Sequence, residues 1–282
     1  VKPGQHYAMG GVETDEWGAT CVGGLYAVGE CACASVHGAN RLGGNALPEL
    51  AVFGARAGRH AAGEVDEESK ISTGWDADSE EGENVSPVAL GEADLPSSGK
   101  GALADGGTSS PSGDAGVEAQ DPESIVDAAV QAERTRVHYL LEKEEGVNHA
   151  EVRSELQETM TENVNVFREE GALKDALAEI REARKDYQHV TVEDPSRTYN
   201  TDLIHTIETR NLLDVAEAIT VGALARDEFR GAHWRKEHQE RKDDEWLKHT
   251  MLSWNDGSPG LWYKPAMLEG EAKTYEPKER SY

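Results

Sequence analysis

One stretch limits what this chain can fold into more than any other. Residues 24–30 read Gly-Leu-Tyr-Ala-Val-Gly-Glu, a short apolar run bounded by glycines, and the pattern predicts a buried strand. Residues 36–47, Val-His-Gly-Ala-Asn-Arg-Leu-Gly-Gly-Asn-Ala-Leu, make a glycine-rich loop with Arg41 in its middle. From Ala46 to Gly63 the sequence turns small and apolar and reads as a helix. Asn45 is its expected N-cap, Pro48 sits in the first turn where a missing N–H costs nothing, and Glu49 suits the positive end. Gly54 and Gly58, four apart, predict a face thin enough to lie against a sheet. Strand, loop and helix start together form a cradle whose unpaired N–H groups face a ligand. Arg41 adds a planar cation that can grip a carboxylate with two parallel hydrogen bonds.

These residues resemble the flavoprotein subunit of succinate dehydrogenase and fumarate reductase. In that family a Leu-Tyr/Phe-Ala-Val/Ala-Gly-Glu strand leads into Val-His-Gly-Ala-Asn-Arg-Leu-Gly-Gly-Asn-Ser-Leu, and this chain departs from the second motif only at Ala46. L-aspartate oxidase is the poorer match, because it usually carries Ala-Ser where Gly43 and Gly44 stand here. Residues 6–15, His-Tyr-Ala-Met-Gly-Gly-Val-Glu-Thr-Asp, are similar to a further element of the family. The resemblance implies a subunit that moves hydride equivalents between succinate and the N5 of FAD, in the direction of a succinate dehydrogenase or of a fumarate reductase. It implies that His6 and Arg41 hold the carboxylates of succinate or fumarate, with His37 a second candidate for substrate contact. It also implies that Glu30 binds the ribose of FAD beside Gly29 and Asn45, and that the backbone at Ala46 and Leu47 meets the flavin N1/O2 edge. A contact made through a backbone N–H survives the loss of the serine hydroxyl at Ala46.

No Gly-x-Gly-x-x-Gly follows a strand in these 282 residues. Taken with the resemblance, this leads us to expect a C-terminal fragment or one piece of a split subunit, inactive alone, whose N-terminal half is a separate partner. The expected fold class is an α/β, Rossmann-like FAD-binding segment over residues 1–63, an acidic flexible insert over 64–121, a helical bundle over 122–231, and a mostly irregular tail with a β-hairpin over 232–282. The insert is expected because residues 64–121 are acidic or rich in Gly, Ser and Pro, and bury too little apolar surface to offset chain entropy.

Order is expected to return at Asp121-Pro-Glu. Ile125, Val126, Ala129, Val130, Val137, Leu140 and Leu141 make one apolar stripe. A second helix carries Val152, Leu156, Met160, Val164 and Phe167, and a third Leu173, Leu177, Ile180 and Tyr187. A fourth, from about Thr201 to near Gly231, carries Leu203, Ile204, Ile207, Leu212, Val215, Ile219 and Leu224. Met160 and the aromatic residues of this region read as core. Arg230-Gly-Ala-His233 and residues 242–249 resemble the family's closing signatures, and residues 251–264 read as a hairpin about the turn at 255–260. Arg230 and His233 are expected either to order an interface between tail and flavin domain or to serve local salt bridges.

The chain has 54 Asp+Glu against 28 Lys+Arg, a net charge of -26. Such a field repels nucleic acid and anionic membrane, so neither is an expected direct partner. Dense carboxylates on an otherwise ordinary enzyme sequence read as adaptation to high salt. Three cysteines, without paired metal-ligand spacing, read as buried thiols in a reducing cytosol. No apolar run is long enough to span a bilayer. The resemblance implies a cytoplasmic protein held peripherally at the membrane through an iron–sulfur subunit and membrane-anchor subunits. A second reading makes the chain a non-catalytic module that docks on the iron–sulfur subunit.

Overall fold

The structure, a computed structural model, describes residues 6–65, 122–255, 258–270, 273 and 274. The expected insert lies outside the described residues from residue 66 to 121.

The N-terminal part is mostly loop. Strand β1 (Val12–Glu13) pairs in parallel with β2 (Ala32–Cys33). The strand predicted over 24–30 does not form. Tyr26 makes a single bridge to Ala19, and Gly29–Cys31 is one turn of 3-10 helix. Gly24 and Gly29 have φ of +82° and +80°, so the backbone leaves the extended region at both ends of the run. Leu25, expected inside, is 52% exposed. Cys21 and Cys31 are also exposed rather than buried.

Helix α1 (Ala46–Ala61) forms where its apolar pattern placed it. Asn45 occupies the N-cap position but has helical dihedrals, and its side chain makes no capping bond. The entry is closed by backbone instead, from the Asn45 N–H to Leu42 O and from the Glu49 N–H to Asn45 O, both 3.1 Å. The expected glycine face does not lie on a sheet. A Cβ at Gly54 would only just meet Val28, at 4.0 Å, and one at Gly58 would meet nothing within 4 Å outside the helix's own backbone. The helix rests on the loop beneath it through Ala57, its buried apolar residue.

The helical region comprises α2 (Pro122–Glu142), α3 (His149–Asn163), α4 (Glu170–Tyr187) and α5 (Thr201–Ala225). A short parallel pair, β3 (Val147–Asn148) with β4 (Val190–Thr191), ties its ends. One core joins Val152, Leu156, Ile180, Ala183, Val190, Leu213 and Ala216. A second joins Val164, Leu173, Ala176, Ala223 and Leu224, and Met160 packs against both, as its apolar position suggested. Helix α2 is peripheral: Leu140 is buried, but Val130 and Tyr139 are exposed. Phe167 is 66% exposed and meets Trp234 edge-on, so its assignment to the core was wrong.

Helix α5 differs most from expectation. Ile204, Leu212, Val215 and Ile219 face outward, while Thr206, Thr209 and Thr220 are fully buried. Each of these hydroxyls donates to the carbonyl four residues back, on Asp202, His205 and Ala216, at 2.8–2.9 Å. That bond satisfies the polar atom within the helix and frees the methyl group to pack. A hydropathy pattern scores threonine as polar and so selects the wrong face.

Beyond Ala225 the chain is irregular and is held by charge. Arg235 is buried and donates to Leu224 O at 2.8 Å and to Asp227 Oδ1 at 2.9 Å. Glu228 is also buried; burial raises its pKa, but hydrogen bonds from Arg230, the Lys242 N–H and Arg226 outweigh this and hold the carboxyl below its ordinary range. One turn of helix α6 (Asp243–Trp246) then leads to the antiparallel hairpin β5 (Lys248–Asn255) and β6 (Ser258–Pro265), with Leu252 opposite Leu261 and Asn255 opposite Ser258.

His233 carries a pH prediction. Its Nδ1 faces Arg168 Nη1 at 3.3 Å and its Nε2 faces Arg226 O at 2.9 Å, an arrangement suited to the neutral ring. Burial first, then the charges of Arg168, Arg226 and Arg235, push its pKa down to about 4, against the bond that Nε2–H donates to Arg226 O, which works the other way. The unfolded chain takes up the proton near pH 6.5 while the folded one resists. Stability from this group is therefore complete above pH 6.5 and is lost as pH falls towards 4, about 3 kcal/mol in all. The urea midpoint should fall between pH 7 and pH 5, and His233→Gln should flatten that fall. Equal slopes for the two proteins would show that His233 is not the group responsible.

Candidate functional site

The glycine loop delivers Arg41 onto the face of Tyr7, with the guanidinium carbon 4.5 Å from the ring centroid. Stacking of this kind contributes about 0.5–2 kcal/mol and fixes the plane of the cation. Arg41 Nη1 reaches only Leu42 O, at 3.4 Å, and its Nε is buried without a hydrogen-bond partner. Among the described residues no carboxylate forms an ion pair with Arg41. In so acidic a chain, a half-buried guanidinium that has none of its own carboxylates is suited to an anion from outside.

Glu49 underlies this arrangement. It is 6% exposed, and its Oε2 receives both the Tyr7 hydroxyl and His37 Nε2, each at 2.9 Å. The Tyr7 and His37 rings meet edge to face at 5.4 Å. Burial, then the hydrogen bond and charge of Glu49 and the charge of Glu30, push the Tyr7 pKa up to about 12, while Arg41 pulls the other way. The phenol therefore stays protonated and donates. His37 Nδ1 is buried and has no partner among the described residues. Sequence reasoning assigned Glu49 only to the helix dipole and passed over Tyr7, although Tyr7 stands beside His6 in the same motif.

The far end of the chain braces the loop. The Ala232 N–H donates to Ala39 O at 2.9 Å. Gly231 has φ +58°, and a Cβ there would lie 2.6 Å from Ala39 O and 2.9 Å from Asn40 Cβ. Two side-chain bonds extend the seam: Ser35 Oγ to His249 Nε2 at 2.8 Å and Lys264 Nζ to Glu13 Oε1 at 2.6 Å. Of the two roles expected for Arg230 and His233, Arg230 takes the salt-bridge one, and among the described residues neither hydrogen-bonds the glycine loop itself. Arg230 pairs with Glu228 and Asp243, while the backbone of Gly231 and Ala232 meets the loop.

Comparisons with known proteins agree with this layout. Residues 153–282 match the family described as fumarate reductase flavoprotein C-term, and residues 1–47 match an FAD binding domain. The fumarate reductase flavoprotein subunit of Mycobacterium tuberculosis is 34% identical over 285 residues, covering 100% of this chain. The succinate dehydrogenase flavoprotein subunit of Rickettsia conorii is 31% identical over 279 residues, covering 95%. A solved quinol fumarate reductase flavoprotein of E. coli superposes with a TM-score of 0.70 at 31% identity, over 95% of this chain and 38% of that one. The chain belongs to the succinate dehydrogenase and fumarate reductase flavoprotein family. It spans 40% of the length of the M. tuberculosis relative and 38% of the R. conorii relative.

The cofactor of this flavoprotein family is FAD, and the residues present here fit it. Glu30 is exposed, and only its Oε1 is engaged, by the Ala8 N–H at 2.9 Å, so Oε2 has no partner among the described residues. The N–H groups of Ala46 and Leu47 open α1 and have no partner within the helix. Leu47 is 76% exposed. Gly29 is buried, and its φ of +80° is the conformation that favours glycine; a Cβ there would also meet the end of the Leu50 side chain. Asn45 is exposed and Ala46 half-buried. His6 is exposed and makes no hydrogen bond among the described residues. The structure thus gathers Tyr7, His37, Arg41 and Glu49 into one cluster and leaves His6 at its edge.

Proposed function

We propose that this chain is part of the flavoprotein subunit of a succinate dehydrogenase, with fumarate reduction as the same chemistry run backwards. The observation that carries the reading is Arg41, a guanidinium held flat on Tyr7 with no carboxylate partner among the described residues. FAD, when bound, supplies the acceptor and donor of the hydride. Arg41 grips one carboxylate of the dicarboxylate and holds the carbon skeleton in place, and a fixed orientation lowers the entropy still to be lost in reaching the transition state. His6 takes the other carboxylate, and His37, through Nδ1, faces the same ligand. Glu30 holds the ribose. The N–H groups of Ala46 and Leu47, at the positive end of α1, stabilise negative charge at the flavin N1/O2 edge. We further infer an iron–sulfur subunit and membrane anchors as partners, on the strength of the likeness to the flavoproteins of quinol fumarate reductase and succinate dehydrogenase. The test is to express the complete subunit with FAD and follow succinate-driven reduction of an artificial acceptor. Turnover with succinate and inhibition by a non-reacting dicarboxylate are expected. A flavin-loaded preparation that neither oxidises succinate nor reduces fumarate would overturn the reading.

A further inference from the structure

We infer that Glu49 is a positioning residue for the dicarboxylate site, acting through Tyr7 to hold Arg41 in its binding pose. The inference deepens the function proposed above and rests on it, since it takes Arg41 as the carboxylate ligand.

A carboxylate in the first turn of a helix has an ordinary use, which is to complement the helix dipole from the solvent side. Glu49 is placed otherwise. It is 6% exposed, and both of its cross-chain bonds end on the same oxygen, Oε2, one from a residue 42 positions upstream and one from a residue 12 upstream. The Tyr7 bond fixes the rotation of a ring whose face carries Arg41 at 4.5 Å. The His37 bond fixes the ring that meets the edge of Tyr7, and it turns Nδ1 to a buried position with no partner. The two unpartnered buried nitrogens of the cluster, Arg41 Nε and His37 Nδ1, belong to the two residues that this scaffold orients. Arg41 has little else to hold it, because its one hydrogen bond among the described residues, to Leu42 O, is 3.4 Å long. Its pose depends on the ring, and the ring's pose depends on Glu49.

The single accepting oxygen makes the idea separable from a charge effect. Glutamine offers one carbonyl oxygen where Oε2 stands and can receive both bonds, but it removes the charge that a helix-dipole role needs. Alanine removes both.

The test uses the complete FAD-loaded subunit and malonate as a non-reacting dicarboxylate probe. Affinity is read from the perturbation of flavin absorbance, and flavin content is measured in each preparation. Glu49→Ala should weaken malonate binding by about tenfold or more, with flavin content near normal, whereas Glu49→Gln should stay within about threefold of the parent. Equal losses in the two variants would assign Glu49 to the helix dipole, and no loss in Glu49→Ala would remove it from the site. Either result overturns the inference. Should Glu49→Ala fail to fold, Tyr7 decides in its place. Tyr7→Leu, which removes the ring, should cost about tenfold, and Tyr7→Phe, which keeps it, should cost less. Parental affinity in Tyr7→Leu would overturn the inference just as firmly. Arg41→Ala in the same assay separates the two levels of argument. If it leaves malonate binding intact, the function proposed for Arg41 fails. If it abolishes binding while Glu49→Ala does not, only the role of Glu49 fails.

Discussion

Replacing Gly231 with alanine should lower the kcat/KM of the complete subunit for succinate by at least about tenfold, although residue 231 lies 190 positions from Arg41. Two costs combine at this position. A φ of +58° disfavours any residue with a Cβ, by about 1–2 kcal/mol. The new methyl group would also stand 2.6 Å from Ala39 O and 2.8 Å from Ala39 C, which are backbone atoms that cannot rotate away. Relief requires the loop at 39–41 to shift, and the Ala232 N–H bond to Ala39 O would be strained with it. A displacement near 1 Å in a positioning group can cost about a hundredfold in rate, so tenfold is a conservative expectation. Gly222→Ala is the control. Gly222 lies inside α5, and a Cβ there would meet Leu252 and Thr250 at 3.7 and 3.9 Å, so a methyl group fits, and reduced entropy of the unfolded chain should stabilise the protein slightly. Parental activity in Gly231→Ala would show that the tail does not shape the loop.

The second large effect is expected from Arg41→Lys. Lysine keeps the charge but loses the planar fork and the flat stack on Tyr7. Losing one charge-assisted hydrogen bond costs on the order of 1.5–3 kcal/mol, and misorientation adds to that. The kcat/KM for succinate should therefore fall by at least about tenfold, while flavin content stays near normal because the proposed flavin contacts rest on Glu30 and the backbone of α1. Succinate-driven reduction of an artificial acceptor, with bound flavin quantified in the same preparation, measures both. Near-parental turnover would take Arg41 out of the site, and parallel loss of flavin would make it a structural residue.

Several elements were legible before any coordinates. Helix α1, the helices of the bundle and the hairpin follow from period, caps and turn residues, because those signals are local and each is read within one or two turns. The family resemblance named His6, Arg41, His37, Glu30 and the opening of α1 as candidates, because long motifs of glycine and polar residues keep their order along the chain. The failures also have physical causes. Residues 24–30 look like a strand, yet a strand is a property of a pair, and two glycines at positive φ turn this run aside. Phe167 and the outward face of α5 were misassigned because hydropathy records composition and not which neighbour is present. The buried threonines of α5 were missed because their hydroxyls are satisfied inside the helix itself.

By itself, then, the sequence determined which segments are helical, where the glycine loop that carries Arg41 lies and to which family the chain belongs. Only the tertiary structure decided that Tyr7 and His37 share one oxygen of Glu49, that the Tyr7 ring carries Arg41, and that Gly231 braces the loop from the other end of the chain. Those contacts join residues from 12 to 192 positions apart, and no local pattern encodes them. They arise because a guanidinium, a phenol, an imidazole and a carboxylate withdrawn together from water must satisfy one another, and that requirement acts through space rather than along the chain.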